Sequence, residues 1–177
     1  GCFSDVDACF AWHPAAGNLV QGFSSIANIC LRFSFKGKAS HAASSPYLGR
    51  SALDACELMN VGVNYVREHI LPDARIHYAY LNAGGTAPNV VQEHAALKYY
   101  IRAPRISQAL EIVSRVQDIA RGAALMSGTT MESKVIGGMC DFQPNAVLGE
   151  LTTRALEELG GPAFTEEDYA LAERFFQ

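Results

Sequence analysis

Few residues in this sequence stand where they could do chemistry. His13 lies in Ala11-Trp12-His13-Pro14, and His41 in Gly37-Lys-Ala-Ser-His-Ala-Ala43. A catalytic zinc takes about three protein ligands from His, Asp, Glu or Cys. The other histidines form no helical His-x-x-x-His pair, so these residues complete no metal site by themselves. His41 follows a strand inside a turn-rich loop. An imidazole there can donate to a developing oxyanion or simply cap the turn, and the spacing fits both. Arg102 closes a strand just before Ala103-Pro104. Its planar fork suits a carboxylate, and a solvated surface arginine fits the same place. Gly84-Gly85-Thr-Ala-Pro-Asn89 is not a phosphate loop: it lacks the Gly-x-Gly-x-x-Gly spacing and the Walker lysine, and it leads into a strand. Glu166, Glu167 and Asp168 read as the negative first turn of a helix, and Asp5 and Asp7 as loop or helix-start residues.

Regular elements must position these groups. Ile29, Leu31, Phe33 and Phe35 alternate with Cys30, Arg32, Ser34 and Lys36, which predicts a half-buried strand over 28–36. From Ser51 the period lengthens: Ala52, Cys56, Met59, Val63 and Val66 make the stripe of an amphipathic helix. Alternation returns over 75–81 and again over 95–102, where Leu97, Tyr99 and Ile101 oppose Lys98, Tyr100 and Arg102. Ser107 is the expected N-cap of a second helix, with Leu110, Val113, Val116, Ala120 and Ala124 facing inward. A β-branched run over 129–136 gives a fourth strand. The order β-α-β-β-α-β predicts an α+β, ferredoxin-like unit over 28–137: an antiparallel four-stranded sheet with two helices on one face. Residues 1–27 and 138–177 read as the two ends of a second domain into which that unit is inserted.

Composition narrows the function classes. Of 177 residues, 49% are hydrophobic and 18% charged, an ordinary globular balance. The net charge of -4 opposes a nucleic-acid partner, and no contiguous block of Lys and Arg changes that. No apolar run approaches the roughly 20 residues of a membrane span, and the acidic start lacks the pattern of a signal peptide. The five cysteines are odd in number, widely spaced and without Cys-x-x-Cys. That predicts a reduced, cytoplasmic protein without a disulfide framework. No cysteine sits in a His and acid constellation fit for nucleophilic catalysis.

Three segments and a later arginine together resemble the aminoacylase and glutamate-carboxypeptidase-like zinc metallopeptidase family. They are Asp5-Val-Asp-Ala…Trp12-His13-Pro14, Gly37-Lys-Ala-Ser-His41-Ala-Ala, Gly85-Thr-Ala-Pro-Asn89-Val-Val, and Arg102. The resemblance covers nearly the whole chain. It implies a two-metal catalytic domain interrupted by a β-α-β-β-α-β dimerisation domain, or lid. It implies that His13 matches a metal ligand, that His41 stabilises the intermediate in the partner subunit's active site, and that Asn89 and Arg102 hold the substrate carboxylate. A divalent metal, zinc or manganese, is expected in the complete enzyme and none on this chain. The family's other metal ligands and its catalytic Glu have no counterpart here. The chain is therefore expected to be a fragment that does not hydrolyse substrate by itself.

The resulting expectation is a dimerisation and substrate-clamping domain of an amidohydrolase that cleaves an acyl–amino-acid amide. Its partners would be a second copy or a paralogous subunit, joined through the lid, and a small carboxylate-bearing substrate. The rival reading is a non-catalytic ferredoxin-like ligand-binding or protein-interaction module, because such folds host many functions.

Overall fold

A computed structural model describes residues 2–176. Four strands and two long helices form one unit, Ser24–Gln143. Strands β1 (Ala27–Lys36), β2 (Arg75–Asn82), β3 (His94–Ala103) and β4 (Thr130–Met139) make one antiparallel sheet in the order β2-β3-β1-β4. Helices α1 (Ala52–Val66) and α2 (Ile106–Ser127) occupy the two crossovers. This is the ferredoxin-like α+β arrangement that the order of periods predicts.

Strand alternation decides which residues make the core. Leu31, Phe33 and Phe35 of β1 and Leu97, Tyr99 and Ile101 of β3 are buried, and they pack against Cys56, Met59 and Val63 of α1 and Val116 and Ala120 of α2. Phe33 meets Tyr99 edge to face at 5.6 Å between ring centroids, and Tyr78 stacks on Tyr99 at 5.3 Å. The opposite face of the sheet carries the polar half of each alternation. A register shift between Cys30 and Leu31 kinks the β1–β4 ladder, and another lies near the end of β2.

Helix ends follow local chemistry, with one correction. The Ser51 hydroxyl accepts from the Asp54 N–H at 3.0 Å and caps α1. Ser107 does not cap α2: it lies inside the helix, which begins at Ile106. The Ile106 N–H instead donates to Asp141 Oδ1 at 2.9 Å, and Arg105 N–H to Gln108 Oε1 at 3.0 Å. The Ile106 N–H holds the Asp141 carboxyl below its ordinary pKa. Leu110 is also exposed, because the α2 stripe that faces the sheet runs through Ala109 and Ile112.

The remaining described residues, up to Phe23 and from Pro144 onward, form a second unit. It contains α3 (Ala146–Leu159), capped by the Asn145 side chain, and α4 (Glu166–Glu173), capped by Thr165. Among the described residues, no helix is long and apolar enough to cross a membrane.

Candidate functional site

The loop after β1 is laced to the loop before β3. The Gly37 N–H donates to Glu93 O at 2.7 Å, the Val91 N–H to Ser40 O at 2.9 Å, and the Ala42 N–H to Asn89 O at 2.9 Å. His41 and Val90 form a bridge. These bonds hold His41 and Asn89 side by side although 48 positions separate them in sequence. The turn leading to Asn89 uses Gly84 and Gly85 at φ 91° and 106°, a region that favours glycine. The Asn82 side chain accepts from the Gly84 N–H at 2.8 Å.

The His41 ring is oriented by its own loop. Its Nδ1 accepts from the N–H groups of Ala43 and Ser44, both at 3.2 Å. With Nδ1 acting as acceptor, the ring proton belongs on Nε2, and because the residue is exposed that N–H is available as a donor. Such a donor can stabilise an oxyanion.

Arg102 stands elsewhere. Lys36 pairs with His94 at the His41 end of the β1–β3 ladder, and Asn28 pairs with Arg102 at the other end. The strand between His94 and Arg102 is about 26 Å long at ~3.3 Å per residue. The structure therefore joins His41 to Asn89 and sets Arg102 apart from both. Arg102 is half-buried on the polar face of the sheet, its guanidinium carbon 5.8 Å from the Tyr100 ring centroid. Its Nε is buried without a hydrogen-bond partner among the described residues, as is the Oδ1 of neighbouring Asn28. A buried donor left unpaired needs an acceptor, and a carboxylate fits an arginine fork.

His13 is exposed in the second unit, with Nδ1 2.8 Å from the Pro14 carbonyl. Among the described residues, no group of three His, Cys, Asp or Glu side chains is placed to hold a metal ion. The residues present do not by themselves fit a metal centre.

Residues 27–127 match the family model of the peptidase dimerisation domain. The chain belongs to the M20 amidohydrolase family. It is 45% identical over 174 residues to a subunit of the p-aminobenzoyl-glutamate hydrolase of Escherichia coli (strain K12), covering 98% of this chain and 36% of that protein. It is 34% identical over 174 residues to the Xaa-Arg dipeptidase of Homo sapiens, covering 97% of this chain and 39% of that protein. The crystal structure of an aminobenzoyl-glutamate utilization protein from Klebsiella pneumoniae superposes with a TM-score of 0.63 at 23% identity, over 78% of this chain and 35% of that one. The chain thus spans little more than a third of the length of these relatives.

In this M20 dimerisation domain a buried polar chain, missed by sequence reasoning, ties α1 to the sheet edge. Tyr99 Oη donates to Asn60 Oδ1 at 2.5 Å, Asn60 Nδ2 donates to Tyr80 Oη at 3.3 Å, and Tyr80 Oη donates to Glu57. Burial raises the pKa of both tyrosines, and Glu57 adds to the shift at Tyr80. Asn60 is the one buried polar side chain among the described residues. A polar residue inside the apolar stripe of α1 was the available signal.

Proposed function

We propose that this chain supplies the lid of a metal-dependent amidohydrolase that cleaves acyl–amino-acid amides of the p-aminobenzoyl-glutamate kind. In this reading Arg102 grips the substrate carboxylate, with Asn89 as a second carboxylate ligand. His41 Nε2–H stabilises the tetrahedral oxyanion. His13 joins a metal set completed by residues outside this chain.

The observation that carries the reading is the separation of His41 and Asn89 from Arg102 along one sheet. One lid offers them at opposite ends of the β1–β3 ladder. Antiparallel pairing of two lids through an edge strand would reverse one sheet against the other and bring the His41 end of one protomer to the Arg102 end of its partner. Of the two edges, β4 carries Glu132, Lys134, two glycines and a kink that oppose such pairing. The edge β2 has no charged residue after Arg75 and exposes Tyr78, Tyr80 and Leu81. Helix α1, which the Asn60 chain ties to β2, exposes Leu58, Val61 and Tyr65. The partner is a second copy or a paralogous subunit; the E. coli relative is itself named as a subunit.

Complementation tests the proposal in the full-length protein. His41→Ala and Arg102→Ala variants are each expected to lose activity. In a refolded equimolar mixture, mixed dimers hold one intact site made from both chains, so activity should return to roughly a quarter of wild type. A mixture as inactive as its components overturns the shared-site reading, and full activity of either single variant removes that residue's role.

A further inference from the structure

Although the chain is acidic overall, the fold gathers cations on the open face of the sheet. Strand register places Lys134 of β4 opposite Arg32 of β1, and Arg32 opposite Lys98 of β3. Neighbouring strands lie about 4.8 Å apart, so three positive side chains stand in one row across three strands. Like charges directly opposite one another destabilise a sheet, and nothing in the core requires them there. None of the three, nor Arg102, forms an ion pair with a carboxylate among the described residues. Glu132, the carboxylate one row along the same face of β4, stands opposite Ser34 instead.

Tyr100 links this row to Arg102. Its ring takes the Lys98 ammonium at 5.0 Å and the Arg102 guanidinium at 5.8 Å, so the two charges stand no farther apart than the sum of those distances. Arg32 is steadied by a 3.0 Å bond from its Nε to Ser34 Oγ, along the same strand face. The Tyr100 hydroxyl also shifts the Lys98 pKa upward.

We infer that the row Lys98–Arg32–Lys134 is a second anion subsite beside Arg102, built for ligands that carry further carboxylates beyond the one Arg102 takes. The ligand class is an N-acyl acidic amino acid extended by one or more acidic residues, an oligocarboxylate rather than a single carboxylate. Charge complementarity selects an oligoanion, and the row's continuity with Arg102, whose buried Nε lacks an acceptor that a carboxylate would supply, points to carboxylates. The inference rests on Arg102 being the carboxylate anchor.

The test is calorimetric titration of the full 177-residue chain at low ionic strength with N-acetyl-alanine, N-acetyl-glutamate, N-acetyl-diglutamate and N-acetyl-triglutamate. Affinity should rise about fivefold or more from the first glutamyl ligand to the third, and the rise should fade in high salt. Lys98→Gln and Lys134→Gln should flatten that rise to within about twofold while leaving N-acetyl-alanine binding unchanged. Affinity independent of the number of carboxylates, an equal rise in both variants, or no triglutamate binding at millimolar concentration overturns the subsite. Tighter binding of an oligothymidylate than of triglutamate also overturns it. Arg102→Ala reports separately on the anchor: if it leaves N-acetyl-alanine binding intact, the proposed function fails whatever the row does.

Discussion

Replacing Asn60 by alanine tests how α1 is fixed to the strand expected to face a partner. Asn60 is 5% exposed, and the hydroxyl of fully buried Tyr99 has it as hydrogen-bond acceptor at 2.5 Å. Truncation leaves that hydroxyl unpaired away from water, at a cost of about 1–3 kcal/mol. The 3.3 Å bond to Tyr80 is weaker, and Tyr80 keeps Glu57, so its loss adds about 0.5 kcal/mol. The void left by the amide adds about 0.5–1 kcal/mol more. Asn60→Ala should therefore destabilise the fold by about 2–4.5 kcal/mol, read as a lower urea midpoint at unchanged slope. Tyr99→Phe removes the other partner and should cost about 1–2 kcal/mol. The double variant should cost less than the sum by about 1–2 kcal/mol, since the second change removes the group that the first left stranded. An Asn60→Ala cost below about 0.5 kcal/mol, or strict additivity in the cycle, refutes the account of this chain as a coupled network.

Three further outcomes follow from single features. Gly84→Ala puts a Cβ 2.4 Å from Gln92 Cβ at φ 91°, so it should cost about 2 kcal/mol in thermal unfolding and move the Asn89 amide resonances. Asp141 has a lowered pKa through the Ile106 N–H, so its contribution is present above its ordinary value of 3.8 and lost as pH falls through its folded value. Asp141→Asn should flatten the acid end of a stability-against-pH curve, and an unchanged curve would remove the cap from the account. Burial pushes the Cys56 thiol up to about 12 from 9.0, so the unfolded chain ionises first and stability should fall as pH rises from 9 towards 12. At about pH 8.5 iodoacetamide should label exposed Cys2, Cys9 and Cys140 and spare Cys56 until urea unfolds the protein.

What the sequence reveals divides along the range of the interactions. The alternation of Leu31, Phe33 and Phe35 with Arg32, Ser34 and Lys36, and the stripe Ala52, Cys56, Met59 and Val63, are local patterns, and each element lies where its pattern predicts. The cap of α2 is not local. Asp141 lies 35 residues beyond Ile106, and Ser107 offered a plausible but wrong substitute. Leu110 fits a helical stripe as well as Ala109 does, and only the packing of α2 on the sheet decides between them. The same holds at the site. His41, Asn89 and Arg102 are each legible as residues set in loops or at a strand end, but their distances are not. Backbone bonds between two loops join the first two, and the length of β3 removes the third.

The open face of the sheet shows why a chain-average charge is a poor guide to a ligand. A net charge of -4 with no basic run argues against a nucleic-acid partner when the sequence is read as a string, and it marks no particular place for an anion. Lys98, Arg32 and Lys134 are separated by tens of residues, and each occurs as one polar position in an ordinary alternation. Antiparallel register turns those three unremarkable positions into neighbours, with Tyr100 joining them to an arginine that lacks an acceptor. Exposed like charges at strand spacing repel one another, and that repulsion is relieved whenever an anion lies across them. A site of this kind would bind in proportion to the ligand's charge, whereas the proposed Arg102 fork would take a single carboxylate by its shape. The two together separate anchoring from selection. Arg102 would recognise the carboxylate common to all acyl–amino acids, and the cation row would discriminate among them by how many acidic groups follow.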